Sequence, residues 1–233
     1  KNLQFQIPEL KETVELAANI IVTGQTKKGG WDYHFVPSSE RNDVSVAGWQ
    51  LQALKAVKAS GIHIEGFDKC IDKATDWLAR DAHVGDGKFT YTEGSPRPAM
   101  TPVGVLCLQQ WGKGKSAAAR AGVGLIMDGL KTRDKPDGRK IDPFSLLYDF
   151  KYNGGNADLY AWYYAVQVMR NEGGKEWDLT NKAILEDIVT AQNDDGSFKV
   201  ENGNNEIVHV KSSKIGAVYV QCLNTLMLEV YYR

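Results

Sequence analysis

The sequence predicts an all-α protein of about four helical hairpins, with an inner and an outer ring of helices. Apolar residues recur at helical spacing along eight segments of the chain. Four mostly apolar segments alternate with four more highly charged ones, as expected where amphipathic helices surround buried ones. In addition, a short motif of Gln, Gly and an aromatic residue occurs early in the chain and again near its end.

Gly stops and N-cap residues set the bounds of the eight predicted helices. These helices span residues 10–23, 43–60, 68–80, 101–111, 116–130, 158–172, 178–192 and 215–232. Weak strand signals fall on residues 88–92 and 198–200. Residues 132–156 contain Pro, Gly and aromatic residues, so we predict an inserted loop there and, from its length alone, a lid.

The apolar helices can be aligned on one small residue in each. These residues are Gly48, Gly104, Ala161 and Ala217, at intervals of 56, 57 and 56 residues. Three positions upstream of each lie Ser45, Thr101, Asp158 and Lys214, of which the first three are good N-cap residues. The constant step predicts four copies of one two-helix unit, in which the small residue lets neighbouring inner helices approach closely.

The recurring motif reads Q-x-x-x-G-x-(W/F), as QTKKGGW at residues 25–31 and QNDDGSF at residues 192–198. The two Gln residues are 167 positions apart, which is three steps of about 56. A weaker copy, with His in place of Gln, covers residues 83–89. The Gly permits a turn, the aromatic covers apolar surface, and the amide satisfies open backbone groups. We therefore interpret the motif as a clasp between successive hairpins.

Composition excludes some classes of function and leaves the compartment open. A net charge of −1 argues against a nucleic-acid binder, which would carry clustered Lys and Arg. The longest apolar runs, such as residues 103–108, are too short to cross a bilayer. We expect a soluble protein of unknown localisation. Because the chain starts at Lys1 and not at Met, it is expected to be a processed or trimmed form, and export is one open possibility.

The three cysteines, Cys70, Cys107 and Cys222, are widely spaced and odd in number, so they predict no disulfide framework and no C-x-x-C metal pair. We interpret them as small buried apolar residues, with a zinc ligand or a nucleophile as the alternative. No metal or cofactor is expected.

The motif at the ends of outer helices resembles the QW motif of the squalene–hopene and oxidosqualene cyclases. The same helical-hairpin repeat occurs in the β-subunits of protein prenyltransferases. DVSVAGWQLQAL, TPVGVLCLQQWG, DLYAWYYAVQVM and VYVQCLNTLMLEVYYR are similar to bacterial prenyltransferase and squalene oxidase repeat proteins. The resemblance covers residues 10–233. It implies a single α/α-toroid domain over residues 1–233, as a small barrel, a partial one or a piece of a longer chain.

The motifs of the cyclases and of the thioester domains are missing, so these two chemistries of the fold are not implied. The sequence contains no D-x-D-D acid motif of the cyclases and no C-G-E-Q thioester stretch. A single D-x-C triplet, of the form used in the zinc pair of the prenyltransferases, occurs as DKC at residues 68–70. The resemblance therefore indicates the fold and leaves the activity open.

The N-terminal ends of parallel inner helices would converge on one mouth, where their partial positive charge favours an anionic or carbonyl-bearing ligand. The candidate catalytic residues there are Asp43, His34 and Asp158, and the candidate ligand-binding residues are Trp31, Tyr33, Ser45, Thr101 and Tyr160. Asp43 with His34 or Tyr160 is the candidate acid–base pair. N-caps, clasps and core aromatics are the structural alternatives for these residues.

Three functions remain open on the sequence. The first is a non-catalytic toroid module that binds an unknown small molecule or protein in a central cavity. The second is an isoprenoid-processing enzyme with non-standard acid residues. The third is a carbohydrate-active lyase or hydrolase, suggested by aromatic residues near Asp, His and Tyr.

Overall fold

The computed structural model describes residues 8–133, 158–198 and 214–232. Its described part contains the helices α1 (Pro8–Thr23), α2 (Val44–Ser60), α3 (Phe67–Trp77), α4 (Met100–Gln110), α5 (Ala117–Arg133), α6 (Leu159–Glu172), α7 (Gly174–Thr190) and α8 (Lys214–Leu228). A π-helical turn, Leu78–Ala82, follows α3, and a 3-10 turn, Glu229–Tyr232, follows α8. The all-α prediction is confirmed for these residues.

The predicted strand at residues 88–92 is not formed, and the prediction at 198–200 lies outside the described residues except for Phe198. Extended pairing in the described part of the chain is limited to single antiparallel bridges, His83 with Phe89, Thr90 with Pro96 and Gln192 with Phe198. Two of these bridges close copies of the turn motif, so the extended signal came from a tight turn and its flanks. The predicted loop at 132–156 lies almost entirely outside the described residues.

The chain divides into two compact units, Lys1–Ala121 and Gly122–Arg233, where the sequence predicted one domain. In the first unit α2 packs against α4 and α1. In the second unit α6 packs against α8 and α7. Within each unit the two mostly apolar helices thus contact each other, as expected of inner helices. The closed or partial toroid stays a prediction.

Burial follows the predicted inner helices closely in α4 and α6, whereas α2 buries one side, with Leu51 and Leu54, and leaves Trp49 exposed. In α4 every residue from Met100 to Leu108 is buried, and in α6 nearly every residue from Leu159 to Met169 is buried. α8 differs, because Ala217 and Val218 are exposed and only one side of the helix, with Leu223 and Met227, is buried. The small residue Ala217 therefore does not mark a close helix approach, contrary to the prediction.

Two N-caps are carboxylates at the expected ends of apolar helices. Asp43 caps α2 by accepting from the backbone N–H groups of Ser45 and Val46, and Asp158 caps α6 by accepting from Ala161. The predicted cap at Thr101 is wrong. Thr101 lies inside α4, whose first N–H groups are satisfied by carbonyls of the preceding turn at residues 97 and 98.

Two helix bounds differ from the sequence prediction for local reasons. The third predicted helix is α-helical only as far as Trp77, after which the chain widens into the π-helical turn. The seventh helix begins at Gly174, directly after the Gly173 that ends α6. The sequence places a helix stop at this Gly pair correctly but does not reveal that the next helix starts without a loop.

Candidate binding site in the first unit

The three copies of the turn motif share one backbone conformation. In each copy, the N–H of the second residue donates to the carbonyl of the sixth. These bonds are Thr26 to Gly30 (3.0 Å), Val84 to Lys88 (2.9 Å) and Asn193 to Ser197 (2.8 Å). The motif glycines Gly29, Gly87 and Gly196 have φ values of 114°, 77° and 82°, which are left-handed conformations that favour Gly. The motif is therefore a structural repeat.

The motif Gln and aromatic residues act as the clasp interpretation expects. The Gln25 amide donates to the Gly29 carbonyl (2.9 Å) and across to the Cys70 carbonyl on α3 (2.8 Å). Gln192 makes the matching bond to Gly196 (2.8 Å). The aromatic residues Trp31, Phe89 and Phe198 are buried at 0%, 0% and 6% exposure. Gln25 thus ties the end of α1 to α3 within the first unit.

Asp43 is a fully buried carboxylate that is already engaged by several donors. Its Oδ1 accepts from the backbone N–H of Ser45 (2.9 Å), from the Ser45 hydroxyl (2.5 Å) and from the Val46 N–H (3.2 Å). Its Oδ2 lies 3.4 Å from the Arg41 guanidinium. A carboxylate with these contacts positions α2, and its lack of exposure gives a substrate no access to it.

Two tyrosines extend this group toward the surface. A hydrogen bond with Tyr33, then burial, then the nearby charge of Asp43 raise the pKa of Tyr91 above its usual range. The Tyr91 carbonyl also accepts the N–H of Val44 at the start of α2 (2.9 Å). Tyr33 itself is 64% exposed. Sequence analysis identified Tyr33 but missed Tyr91, which lies far along the chain and outside every motif.

His34 lies in an exposed loop that is organised around Asp32. The backbone N–H of His34 donates to Asp32 Oδ1 (2.8 Å), and the Ser39 hydroxyl donates to Asp32 Oδ2 (2.6 Å). The Ser39 bond is the main reason that the pKa of Asp32 lies below its usual range. Among the described residues no hydrogen bond or ion pair joins His34 to Asp43, so the predicted acid–base pair is not assembled.

Trp31, Ser45 and Thr101 also take structural positions. The indole N–H of the buried Trp31 donates to the Ile21 carbonyl (2.7 Å), which fixes the ring against α1. Ser45 donates to the N-cap carboxylate, and Thr101 is fully buried. Trp31 and Thr101 are buried, and Ser45 is half-buried with its hydroxyl bonded to Asp43.

The second unit contains a separate group of candidates around Asp158. Burial raises the pKa of Asp158, although its bond from the Ala161 N–H (3.0 Å) opposes the shift. Burial and then the charge of Asp158 raise the pKa of Tyr219 to about 12. The centroid of the Tyr160 ring lies 5.0 Å from that of Tyr164 with the rings tilted by 58°, so this candidate ligand contact forms part of an aromatic cluster.

The first unit contains a cavity of about 330 Å³ between two successive turn motifs. Lys28 contributes from the motif at residues 25–31. The residues on either side of the motif at 83–89 supply most of the remaining wall. The lining residues are Lys28, Asn42, Trp77, Asp81, Ala82, Thr90 and Glu93. None of them was predicted as a site residue, because they are brought together from four separate parts of the chain.

Asn42 holds the walls of this cavity in place. Its side-chain oxygen accepts from the Thr26 hydroxyl (2.5 Å) and the Gly30 N–H (3.1 Å). Its side-chain amide donates to the Glu40 carbonyl (3.2 Å) and to Glu93 Oε1 (3.1 Å), which also accepts the Asn42 backbone N–H (3.0 Å). A single buried amide therefore joins the first motif to the segment that follows the second.

Lys28 is fixed at the rim of the cavity by oxygen acceptors. Its ammonium donates to the Glu40 carbonyl (3.1 Å) and forms ion pairs with the carboxylates of Glu40 (3.3 Å) and Glu93 (3.9 Å). These contacts use the charge of Lys28 within the protein.

The described residues contain no group of three or more His, Cys, Asp or Glu side chains that could hold a metal ion. Within the same residues, no helix combines the length and the apolar character that crossing a membrane requires. Comparisons of the chain with protein-family models, with curated proteins and with solved structures gave no match.

Proposed function

We propose that this chain is a non-catalytic helical-hairpin module, similar to the α/α toroids, that binds a small molecule. The cavity between the first and second turn motifs is the observation that carries the proposal. Its volume of about 330 Å³ lies at the small end of the range for ligand pockets, roughly 300–1,000 Å³. It is pre-formed, because Asn42 and Lys28 are held by hydrogen bonds within the protein.

The environments of the candidate catalytic residues support a binding role over a catalytic one. Asp43 is buried under its N-cap contacts, and the backbone of His34 is bonded to Asp32. A general acid and base must both reach the reacting group. In the first unit this pair does not meet that requirement, whereas the cavity needs only shape and fixed polar groups.

A ligand-detected NMR screen of small polar and aromatic molecules tests the proposal. Binders are expected to lose affinity when Thr90, a lining residue that is 3% exposed, is changed to Val, because its hydroxyl is removed at constant shape. Thr92→Val is the matched control, since Thr92 lies two residues away and does not line the cavity. The proposal is wrong if no molecule binds, or if every binder is equally insensitive to both changes.

A second candidate function, an isoprenoid-processing enzyme, is favoured by one observation in the second unit. Asp158 is a carboxyl whose burial raises its pKa, and the helix that it caps, α6, contains three tyrosines whose rings contact one another in tilted and edge-on arrangements. Burial favours the protonated form of this carboxyl, which is the form a general acid needs, and aromatic faces stabilise cations. The carbohydrate-active alternative has no comparable support.

Incubation with squalene and with prenyl diphosphates, followed by mass detection of products, tests the second candidate. Any product must disappear in Asp158→Asn, which keeps an acceptor for the N-cap bond but has no acidic proton. Absence of product from the unmodified protein, or unchanged turnover in the variant, removes Asp158 from consideration as an acid.

A further inference from the structure

We propose that the cavity selects a compact organic cation, an amine whose positive group is attached to a flat apolar body. This inference rests on the proposed binding function and specifies its ligand class. It is carried by the charges, the apolar wall and the backbone geometry of the cavity.

The uncommitted charge of the cavity is negative. Two carboxylates, Asp81 and Glu93, and one ammonium, Lys28, line it. The ammonium is already engaged by three oxygen atoms of Glu40 and Glu93, at 3.1, 3.3 and 3.9 Å. Asp81 is exposed and forms no ion pair within the described residues. A ligand that brings a positive charge therefore finds a carboxylate without competition from the protein.

The side-chain N–H donors of Asn42 in the cavity wall are also bonded to oxygen atoms of the protein, as the Lys28 ammonium is. Both side-chain N–H groups of Asn42 are given to Glu40 and Glu93. The contacts of Glu93 with Asn42 and Lys28 all involve its Oε1 atom, so Oε2 offers a second acceptor. An anionic ligand would compete with Glu40 and Glu93 for these donors, whereas an ammonium needs only acceptors.

An apolar surface lies beside these acceptors. Trp77 and Ala82 line the cavity, and both are almost fully buried, at 4% and 1% exposure. Thr90, at 3% exposure, adds a hydroxyl to the same wall. An indole next to carboxylates suits a cation that carries an apolar group, because the ring attracts positive charge and packs against carbon atoms.

The π-helical turn is a second, independent pointer to this place. The N–H of His83 donates to the Leu78 carbonyl (3.1 Å), which gives the wider i to i+5 spacing. Such turns are rare and occur frequently at functional sites, because they cost hydrogen-bond geometry. Here the turn directs Asp81 and Ala82 to the cavity. A continuous α-helix would carry these residues to a different angular position.

The test uses three probes of nearly the same shape: phenethylammonium, neutral 2-phenylethanol and anionic phenylacetate. Binding to the full chain is followed by amide chemical shifts of Ala82 and Thr90. We expect phenethylammonium to bind at least about tenfold more tightly than the other two. Asp81→Asn should weaken its binding about three- to tenfold and leave 2-phenylethanol unaffected.

Asp76→Asn is the matched control, because it makes the same charge change on an exposed residue of α3 that does not line the cavity. It should leave the affinity for phenethylammonium unchanged. Equal binding of the alcohol or the acid at Ala82 and Thr90 would overturn the cation inference while the proposed function stands. If none of the three probes shifts these signals, the inference also fails, and the broader screen alone decides whether the module binds another ligand.

Discussion

The ring of Phe89 occupies the space that a side chain on Gly104 would need. A Cβ atom on Gly104 would lie 2.5 Å from Phe89 Cε1 and 2.8 Å from Cγ, well inside van der Waals contact. Phe89 is the aromatic of the second turn motif, and Gly104 is the small residue of α4. Two features that repeat separately in the sequence thus meet in the first unit. The small residue makes room for the aromatic of the preceding turn, whereas the sequence suggested a role in the approach of neighbouring helices.

Gly104→Ala is therefore expected to destabilise the protein, although Ala is the better helix former. The added methyl group must displace a fully buried ring, and overpacking of this kind costs about 1–3 kcal/mol. The free energy of unfolding, measured in urea, reports the loss. Gly124→Ala is the control, since Gly124 is exposed on α5 and a Cβ atom added there would have no other atom within 4 Å. This control should gain about 0.5–1 kcal/mol.

Phe89→Leu in the Gly104→Ala background separates steric conflict from a propensity effect. The smaller side chain should recover part of the lost stability, so that the two changes together cost less than their sum. Equal and favourable effects of Gly104→Ala and Gly124→Ala would show that the Phe89 ring is not confined by α4.

Local signals in the sequence predicted the elements of the fold well. Asp43 and Asp158 were recognisable helix starts because an N-cap carboxylate acts on N–H groups two or three residues away. The motif at residues 25–31 was recognisable as a turn because its Gly and aromatic lie within one short segment. The exposure of Ala217 was not predictable, since it depends on which other segments cover α8 and not on the composition of α8 itself.

The candidate site was the least predictable part for the same reason. Its lining residues Lys28, Asn42, Thr90 and Glu93 belong to no common motif and become neighbours only through long-range hydrogen bonds such as Asn42 to Glu93. The predicted pair of Asp43 and His34 is close in sequence, but the loop between them turns the backbone of His34 to Asp32. Proximity along the chain was therefore a poor guide to which polar groups bond to one another.

Gln25→Glu should destabilise the first unit, because a carboxylate cannot donate to the two carbonyls that the Gln25 amide now serves. The expected cost is about 1–3 kcal/mol, measured as the shift in urea midpoint. Gln192→Glu is the comparison. Its amide is exposed and makes one bond of the same type at 2.8 Å, so water can replace it and the cost should be smaller. A larger effect at Gln192 would contradict the clasp role assigned to Gln25.

Cysteine alkylation should distinguish Cys222 from the other two thiols. Cys222 is exposed, whereas Cys70 and Cys107 are buried, and burial raises the pKa of both buried thiols to about 12. Because only the thiolate reacts, iodoacetamide should modify Cys222 in the folded protein and the other two only after unfolding. Peptide mass spectrometry locates the modified sites. The sequence interpretation of all three cysteines as buried is thus wrong for Cys222, and rapid native labelling of Cys107 would contradict its position inside α4.

The two carboxylates Asp158 and Asp195 should respond to pH with opposite signs. Burial raises the pKa of Asp158 above the ordinary value of 3.8, so its contribution to stability is greatest below 3.8 and is lost as the pH rises through the folded-state pKa. Hydrogen bonds from Ser197 lower the pKa of Asp195, so its contribution is present above 3.8 and is lost as the pH falls through its folded-state pKa.

At about pH 7, Asp158→Asn should therefore be at least as stable as the unmodified chain, because its amide oxygen can still accept from Ala161. Asp195→Asn should be less stable there, and both differences should shrink as the pH approaches about 3.8 in a series of urea unfolding curves. A loss of stability in Asp158→Asn that is the same at every pH would mean that the carboxylate is not penalised by burial, and the acid role considered for Asp158 would lose its physical basis.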